Sequence, residues 1–143
     1  MFDRNPLVPE LIVTRLGASL AFWIEQLGFA IAYQRAEEGF AYLALNGAQI
    51  MLEQYGPEAG QWLTAPLQPP FGRGINLQID VPAVAPILQR LAQIGWPLFR
   101  DVEDAWYRAG DVEAGQRQFI VQDPDGYLVR LVQRLGERPV EQA

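Results

Sequence analysis

The sequence contains neither cysteine nor histidine. These are the side chains that usually bind zinc, copper and non-heme iron, so only carboxylates and carbonyls remain, and they suit magnesium, calcium or manganese. Catalytic triads and dyads built on histidine or cysteine are excluded as well. The lack of cysteine also removes disulfide bonds and fits a cytoplasmic location, where thiols stay reduced.

Positive charge and long apolar runs are scarce too. The 11 basic residues, all of them arginines, are outnumbered by 17 acidic residues, which gives a net charge of -6. This argues against a nucleic-acid partner, because DNA and RNA require a basic face. It favours a cationic ligand through long-range steering, although solubility alone is a sufficient reason for acidity. No apolar run approaches the roughly 20 residues of a membrane span, and the N-terminus lacks the apolar core of a signal peptide.

Two similar helical segments indicate an internal repeat within the 143 residues. Residues 19–29 and 86–96 are amphipathic stretches that each end in glutamine, an aliphatic residue, glycine and an aromatic residue. Gly28 and Gly95 would follow their helices at the position where a left-handed backbone is favoured. The repeat predicts two modules of similar structure.

Short strands are predicted around both helices. One strand precedes each helix, over residues 8–14 and 74–80. The strand-like runs that follow the helices are residues 30–36, 40–45 and 49–54 in the first half, and 97–100, 117–122 and 127–133 in the second. Asn46-Gly47 and Asp123-Pro-Asp-Gly126 are typical turn sequences. The predicted organisation is a βαβββ module over residues 1–56, a linker over 57–73, a second βαβββ module over 74–134 and a polar tail over 135–143.

The motifs SLAFWIEQLGF (residues 19–29) and FIVQDPDGYLVRL (residues 119–131) resemble the vicinal-oxygen-chelate superfamily. That group includes glyoxalase I, extradiol dioxygenases, and fosfomycin- and bleomycin-resistance proteins. Residues 7–29 look most like the start of bleomycin-resistance proteins, and the resemblance extends over residues 7–133. It implies an α+β fold in which two βαβββ modules form a curved mixed sheet with a cleft, and a domain-swapped homodimer. Both motifs have structural roles, so they say little about the ligand.

The resemblance also implies four metal-ligand positions, in the first and last strands of the two modules. Carried over residue by residue, they fall on Val8, Glu53, Gly74 and Arg130. Only Glu53 could bind a metal, whereas a catalytic site needs about three protein ligands. We therefore predict no metal, no other cofactor and no catalytic residue.

The alternation of side chains along the strands predicts which of them face the cleft. The predicted ligand-binding residues are Glu10, Met51, Glu53, Trp62, Asn76, Gln78, Trp106, Tyr107 and Arg130. Trp62 and Trp106 are included because they lie in loop-like segments, although a dimer interface explains an aromatic residue there equally well. Glu53 and Arg130 could instead pair with each other, which would be no evidence for catalysis.

The leading hypothesis is a homodimeric, metal-free protein that binds and sequesters a small molecule of the bleomycin type. Glu10, Glu53 and the net charge suit a flat, aromatic and cationic guest, whereas Arg130 better suits a carboxylate or phosphate. The alternative is an enzyme, either a glyoxalase-like lyase or isomerase or a dioxygenase, with Glu53 as the general base of a metal-free variant. A third hypothesis is a protein-interaction module without a small ligand.

Overall fold

The computed structural model describes residues 2–141, which form two four-stranded mixed sheets and few helices. The first module consists of β1 (Glu10–Val13), α1 (Leu16–Leu20), β2 (Ala30–Arg35), β3 (Phe40–Leu45) and β4 (Ala48–Gln54). The helix α1 continues as a π-helical turn over Ala21–Gln26, and a 3-10 turn over Ala36–Glu38 joins β2 to β3. The second consists of β5 (Asn76–Asp80), α2 (Ala85–Gln93), β6 (Arg100–Ala109), β7 (Val112–Gln122) and β8 (Leu128–Pro139). The predicted βαβββ order is confirmed in both halves. Within residues 2–141, no helix combines the length and the apolar character needed to cross a membrane.

The described chain divides into two compact units. The first contains the residues up to Arg73 together with Asp123–Tyr127, and the second contains Gly74–Gln122 together with the residues from Leu128 on. The strand order is β1-β4-β3-β2 in the first unit and β5-β8-β7-β6 in the second. In each, the first strand pairs in parallel with the last, and the other pairs are antiparallel. Because the two topologies are the same, equivalent sheet positions can be compared.

Alternation along the strands divides each sheet into a buried face and an open face. In the first unit the buried face carries Leu11, Val13, Ala41, Leu43, Ile50 and Leu52. In the second it carries Ile79, Phe119, Val121, Val129 and Leu131. The helices contribute buried side chains to the same cores, among them Trp23, Leu27, Ile87 and Leu91. The predicted positive φ angles after the helices are confirmed at Gly28 and Gly95.

The turn at Asp123–Gly126 is confirmed, and its first carboxylate organises it. Asp123 Oδ1 accepts hydrogen bonds from the backbone N–H groups of Asp125 and Tyr127, at 3.0 and 2.8 Å. Asp123 Oδ2 accepts one from the indole Nε1 of Trp23 at 3.3 Å. Burial raises the pKa of Asp123 to about 6, although these hydrogen bonds favour the charged form and act in the opposite direction. The Tyr127 hydroxyl donates to the carbonyl of Ile12 at 2.9 Å, so the turn is an integral part of the first unit.

The strand β6 differs from the prediction. A strand was expected at residues 97–100 and a loop after it, but β6 begins at Arg100 and extends to Ala109. Trp106 and Tyr107 therefore lie in a strand and not in a loop-like segment. Most residues of β6 are exposed, so the strand lacks the apolar alternation from which strands are predicted.

The predicted polar tail is also partly wrong. The last strand, β8, continues to Pro139, which pairs with Val112 at the far end of β7. Residues 135–139 thus belong to a β-hairpin and not to a tail. The end of the predicted tail, residues 142 and 143, lies outside the described residues.

Candidate functional site

The open face of the first sheet carries two rows of side chains, because directly paired residues on neighbouring strands point to the same side. The first row is Tyr33, Tyr42, Met51 and Glu10, and the second is Arg35, Phe40, Glu53 and Ile12. The β2 and β3 positions carry three aromatic side chains and Arg35, whereas the β4 and β1 positions carry only acidic or apolar side chains. The open face therefore changes from aromatic at one edge to acidic at the other.

A cavity of about 510 Å³ lies at the acidic edge. Its lining comes from the strands through Glu10, Ile12, Met51 and Glu53, and from the linker through Ala59, Gly60, Gln61 and Trp62. The Gln61 side chain holds the linker in place, since it donates to the carbonyl of Gln54 at 2.9 Å and accepts from the N–H of Gly56 at 3.1 Å. The structure thus brings four of the predicted site residues together: Glu10, Met51, Glu53 and Trp62.

Two carboxylates give this cavity its charge. Partial burial raises the pKa of Glu10, the carboxylate of Glu53 raises it further, and the guanidinium of Arg35 lowers it. The negative charges of Glu10 and Glu53 repel each other, and a cation bound between the two carboxylates would stabilise both. The Trp62 side chain stands at the rim with 95% of its surface exposed, which leaves its ring free to cover a guest.

The aromatic edge is covered by the chain itself. The rings of Tyr33 and Tyr42 are stacked with centroids 5.2 Å apart, and the ring of Phe2 lies 5.0 Å from that of Tyr42. The segment around Phe2 is held by the Gln49 side chain, which accepts from the N–H of Asn5 at 2.8 Å and donates to the carbonyl of Asp3 at 2.6 Å. Sequence reasoning missed Phe2, because the first residues show no periodic pattern.

A second cavity of the first unit, of about 380 Å³, lies between Thr14, Arg15, Ala18, Pro69, Pro124 and Asp125. Two of its polar residues are engaged with each other, since both the hydroxyl and the N–H of Thr14 donate to the Asp125 carboxylate. It contains none of the predicted site residues, so the cavity beside Trp62 is the stronger candidate.

The open face of the second sheet holds the other predicted polar residues. Asn76 pairs with Leu128, and Gln78 pairs with Arg130 in the next row. Tyr107 is 45% exposed, and its hydroxyl accepts a hydrogen bond of 2.7 Å from Gln118. The second unit therefore places Asn76, Gln78, Arg130 and Tyr107 on one face.

Trp106 does not share that face. Its ring packs against Gly115, its partner in β7, and the guanidinium of Arg138 lies 4.1 Å from the ring centroid. Its neighbours Asp104 and Arg117 form an ion pair of 2.8 Å on the same side of the sheet. The structure thus separates Trp106 from Tyr107 and Arg130, because successive residues of a strand point to opposite faces.

The four carried-over metal positions do not form a metal site. Val8 and Gly74 each lie two residues before the start of β1 and β5, and neither side chain can bind a metal. The residues that pair with Glu53 and Arg130 are Ile12 and Gln78. These two pairs contain a single carboxylate, that of Glu53. A catalytic metal needs about three anionic or imidazole ligands, so the pairs cannot supply them. Within residues 2–141 no three acidic side chains are grouped closely enough to hold a metal ion.

The sequence matches a known protein family. The family model of the Glyoxalase/Bleomycin resistance protein/Dioxygenase superfamily matches residues 6–131. The chain belongs to this superfamily. The predicted vicinal-oxygen-chelate fold is thereby confirmed, and the superfamily's variety of functions leaves the ligand to be argued from the site.

Solved structures of similar proteins are numerous. A superfamily member from Vibrio splendidus 12B01 is 35% identical, and the match covers 90% of this chain and 97% of that one, with a TM-score of 0.41. A virulence protein from Salmonella typhimurium is 18% identical over 93% of this chain and 98% of its own, with a TM-score of 0.67. TioX from Micromonospora sp. ML1 is 19% identical over 92% and 100%, with a TM-score of 0.66. The last two share the superfamily fold. No curated protein matches the sequence.

Proposed function

We propose that this superfamily member binds and sequesters a small, planar, aromatic cation without a metal ion. One observation carries the proposal: the nearly fully exposed Trp62 stands over a cavity that contains the carboxylates of Glu10 and Glu53. The volume of about 510 Å³ lies in the range typical of small-molecule pockets. An aromatic side chain beside paired negative charges recognises a ring that carries a positive charge.

The energetics support this choice of guest. A cation over an indole ring contributes about 0.5–2 kcal/mol, with the larger values in desolvated sites. The negative charge of Glu10 and Glu53 adds to the attraction, and the net charge of -6 steers cations toward the protein. Sequestration requires no bond to be broken, so it is compatible with a site that lacks histidine and cysteine. The proposal includes a cytoplasmic homodimer with exchanged modules, as the sequence resemblance implies.

Tryptophan fluorescence provides the test. Metal-free bleomycin and the simpler planar cation proflavine should quench the emission and bind with micromolar affinity or better. Trp62→Ala should weaken binding by about tenfold, which corresponds to about 1.4 kcal/mol, because the stacking surface is lost. Glu53→Gln should weaken the binding of both cations and leave a neutral aromatic analogue unaffected. Calorimetry should give the stoichiometry and the same dissociation constants.

Two matched variants serve as controls. Trp106→Ala removes a tryptophan that the structure does not bring to the cavity, and Glu25→Gln removes an exposed carboxylate elsewhere in the first unit. Both should bind proflavine like the unmodified protein. The proposal is wrong if neither cation binds, or if Trp106→Ala impairs binding as much as Trp62→Ala does.

Metal-free acid–base catalysis is a second candidate, favoured by the raised pKa of Glu10 beside Glu53. A carboxyl group with a raised pKa that lies beside a second carboxylate can exchange a proton with a substrate. In that case turnover of an α-hydroxycarbonyl substrate should persist in EDTA and should be abolished in Glu10→Gln. Turnover that EDTA abolishes would contradict this mechanism.

A further inference from the structure

One row of paired residues crosses all four strands of the second sheet. Gln78 in β5 pairs with Arg130 in β8, Arg130 with Ile120 in β7, and Ile120 with Arg100 in β6. Residues paired in this way point to the same face of the sheet. Two strand spacings, about 10 Å in total, separate the backbones of the two arginines. Their long side chains can therefore meet above Ile120.

Neither arginine of this row has an ion-pair partner among the described residues. The Nε atom of Arg130 is buried and forms no hydrogen bond. Within residues 2–141, neither Arg100 nor Arg130 forms an ion pair, whereas Arg117, Arg134 and Arg138 of the same unit are each paired with an acidic residue. A buried donor without an acceptor is costly and rare in folded proteins. The burial of Nε holds the guanidinium in place, and its terminal Nη atoms, which are not among the buried unsatisfied atoms, can donate to an acceptor from outside the chain.

The equivalent row of the first unit carries the opposite charge at its centre. There Ile12, Glu53, Phe40 and Arg35 occupy the positions of Gln78, Arg130, Ile120 and Arg100. Glu53 is replaced by Arg130, and Arg35 is neutralised by Glu38 whereas Arg100 has no such partner. The same sheet position thus favours a cation in one unit and an anion in the other.

We propose that Arg100 and Arg130 form a binding site for the oxyanion of a small organic molecule, a carboxylate or a phosphate ester. The guanidinium of Arg130 donates to the oxyanion from the floor of the sheet, and that of Arg100 donates from the edge strand. The Gln78 amide lies beside Arg130 in the same row and supplies a further donor. The half-buried Ile120 contacts the apolar part of the ligand. This site uses none of the residues of the cavity beside Trp62.

Calorimetric titration with benzoate, phenyl phosphate and inorganic phosphate, at constant ionic strength set with chloride, tests the site. At least one of the two organic anions should bind, and inorganic phosphate should bind more weakly because it lacks a ring to contact Ile120. Benzoate and phenyl phosphate differ only in the oxyanion, so their relative affinities identify the ligand class. Arg130→Gln should weaken binding at least tenfold, and Arg100→Gln should weaken it less, since Arg100 is more exposed.

The control is Arg117→Gln, which removes the same charge from the opposite face of the sheet. It should bind the anions like the unmodified protein. Arg130→Lys keeps the charge and should retain more affinity than Arg130→Gln, which separates a binding role from a structural one. The proposal is overturned if no anion binds above the chloride control, or if Arg117→Gln and Arg130→Gln weaken binding equally. Trp62→Ala should leave anion binding unchanged, so failure of the cation site and failure of this site are distinguishable.

Discussion

Replacing Gly126 by alanine should lower the free energy of unfolding by about 3 kcal/mol. Gly126 has a φ angle of +100°, which costs a residue with a Cβ atom about 1–3 kcal/mol. The new Cβ atom would also lie 2.5 Å from Cβ and 2.8 Å from Cα of Pro70. Overlap with backbone cannot be relieved by rotating a side chain, so the segment at Pro70 has to move away. That movement strains the 2.8 Å hydrogen bond from the N–H of Phe71 to the carbonyl of Asp125.

Gly136→Ala is the matched control for this substitution. Its φ angle is +108°, but nothing lies within 4 Å of the Cβ position. It should therefore show the cost of the backbone conformation alone, about 1–2 kcal/mol. Urea unfolding followed by fluorescence and circular dichroism gives both values. Equal losses in the two variants would show that contact with Pro70 contributes nothing.

The stability of the first unit should decrease as the pH rises from about 4 to about 6. Asp123 is 3% exposed, and its pKa is raised from 3.8 to about 6 in the folded protein. The folded state therefore binds a proton more tightly than the unfolded state, so the stabilisation from this group is complete below pH 3.8 and is lost as the pH passes through 6. A difference of about two pKa units corresponds to about 3 kcal/mol as an upper value.

Asp123→Asn isolates this contribution from other titrating groups. The amide keeps an oxygen for the backbone N–H groups of Asp125 and Tyr127 but carries no charge at any pH. The difference in unfolding free energy between Asp123→Asn and the unmodified protein should change by about 2–3 kcal/mol between pH 4.5 and pH 7, in favour of the variant at the higher pH. Asp111→Asn, at an exposed turn, should show no such change. A pH-independent difference for Asp123→Asn would contradict the raised pKa.

Much of the fold could be predicted because its signals are local. The turn residues at Asn46-Gly47 and Asp123–Gly126 and the glycines after both helices depend on the backbone conformation that their own positions require. In β4 the buried Ile50 and Leu52 alternate with the half-buried Met51 and Glu53, so the alternation of this strand is visible in the sequence. The same alternation placed Glu10, Met51 and Glu53 on one face, where the structure has them around one cavity.

The errors concern residues whose surroundings are set by distant partners. The exposed strand β6 is held by pairing to β7, and neither face of most of it is apolar enough to reveal a strand. The residue type of Trp106 suggests a position in the cleft, whereas its orientation follows from the register with Gly115. The sequence pattern does not single out Arg100, because only the register brings it into the row of Arg130. The register of a long hairpin depends on its β-bulges, such as those at Gly115 and after Arg100. These bulges cannot be predicted from the sequence pattern.

The turn at Asp123–Tyr127 determines when the first unit can complete its folding during synthesis. It supplies the acceptor for the Trp23 indole and the hydroxyl that bonds to Ile12, yet it leaves the ribosome at least 50 residues after the rest of the first unit. The core of the first unit therefore remains incomplete in the nascent chain until most of the second half has been translated. Separating the gene at codon 73 would yield an N-terminal fragment that lacks this turn, and adding the missing segment in trans should restore its cooperative unfolding.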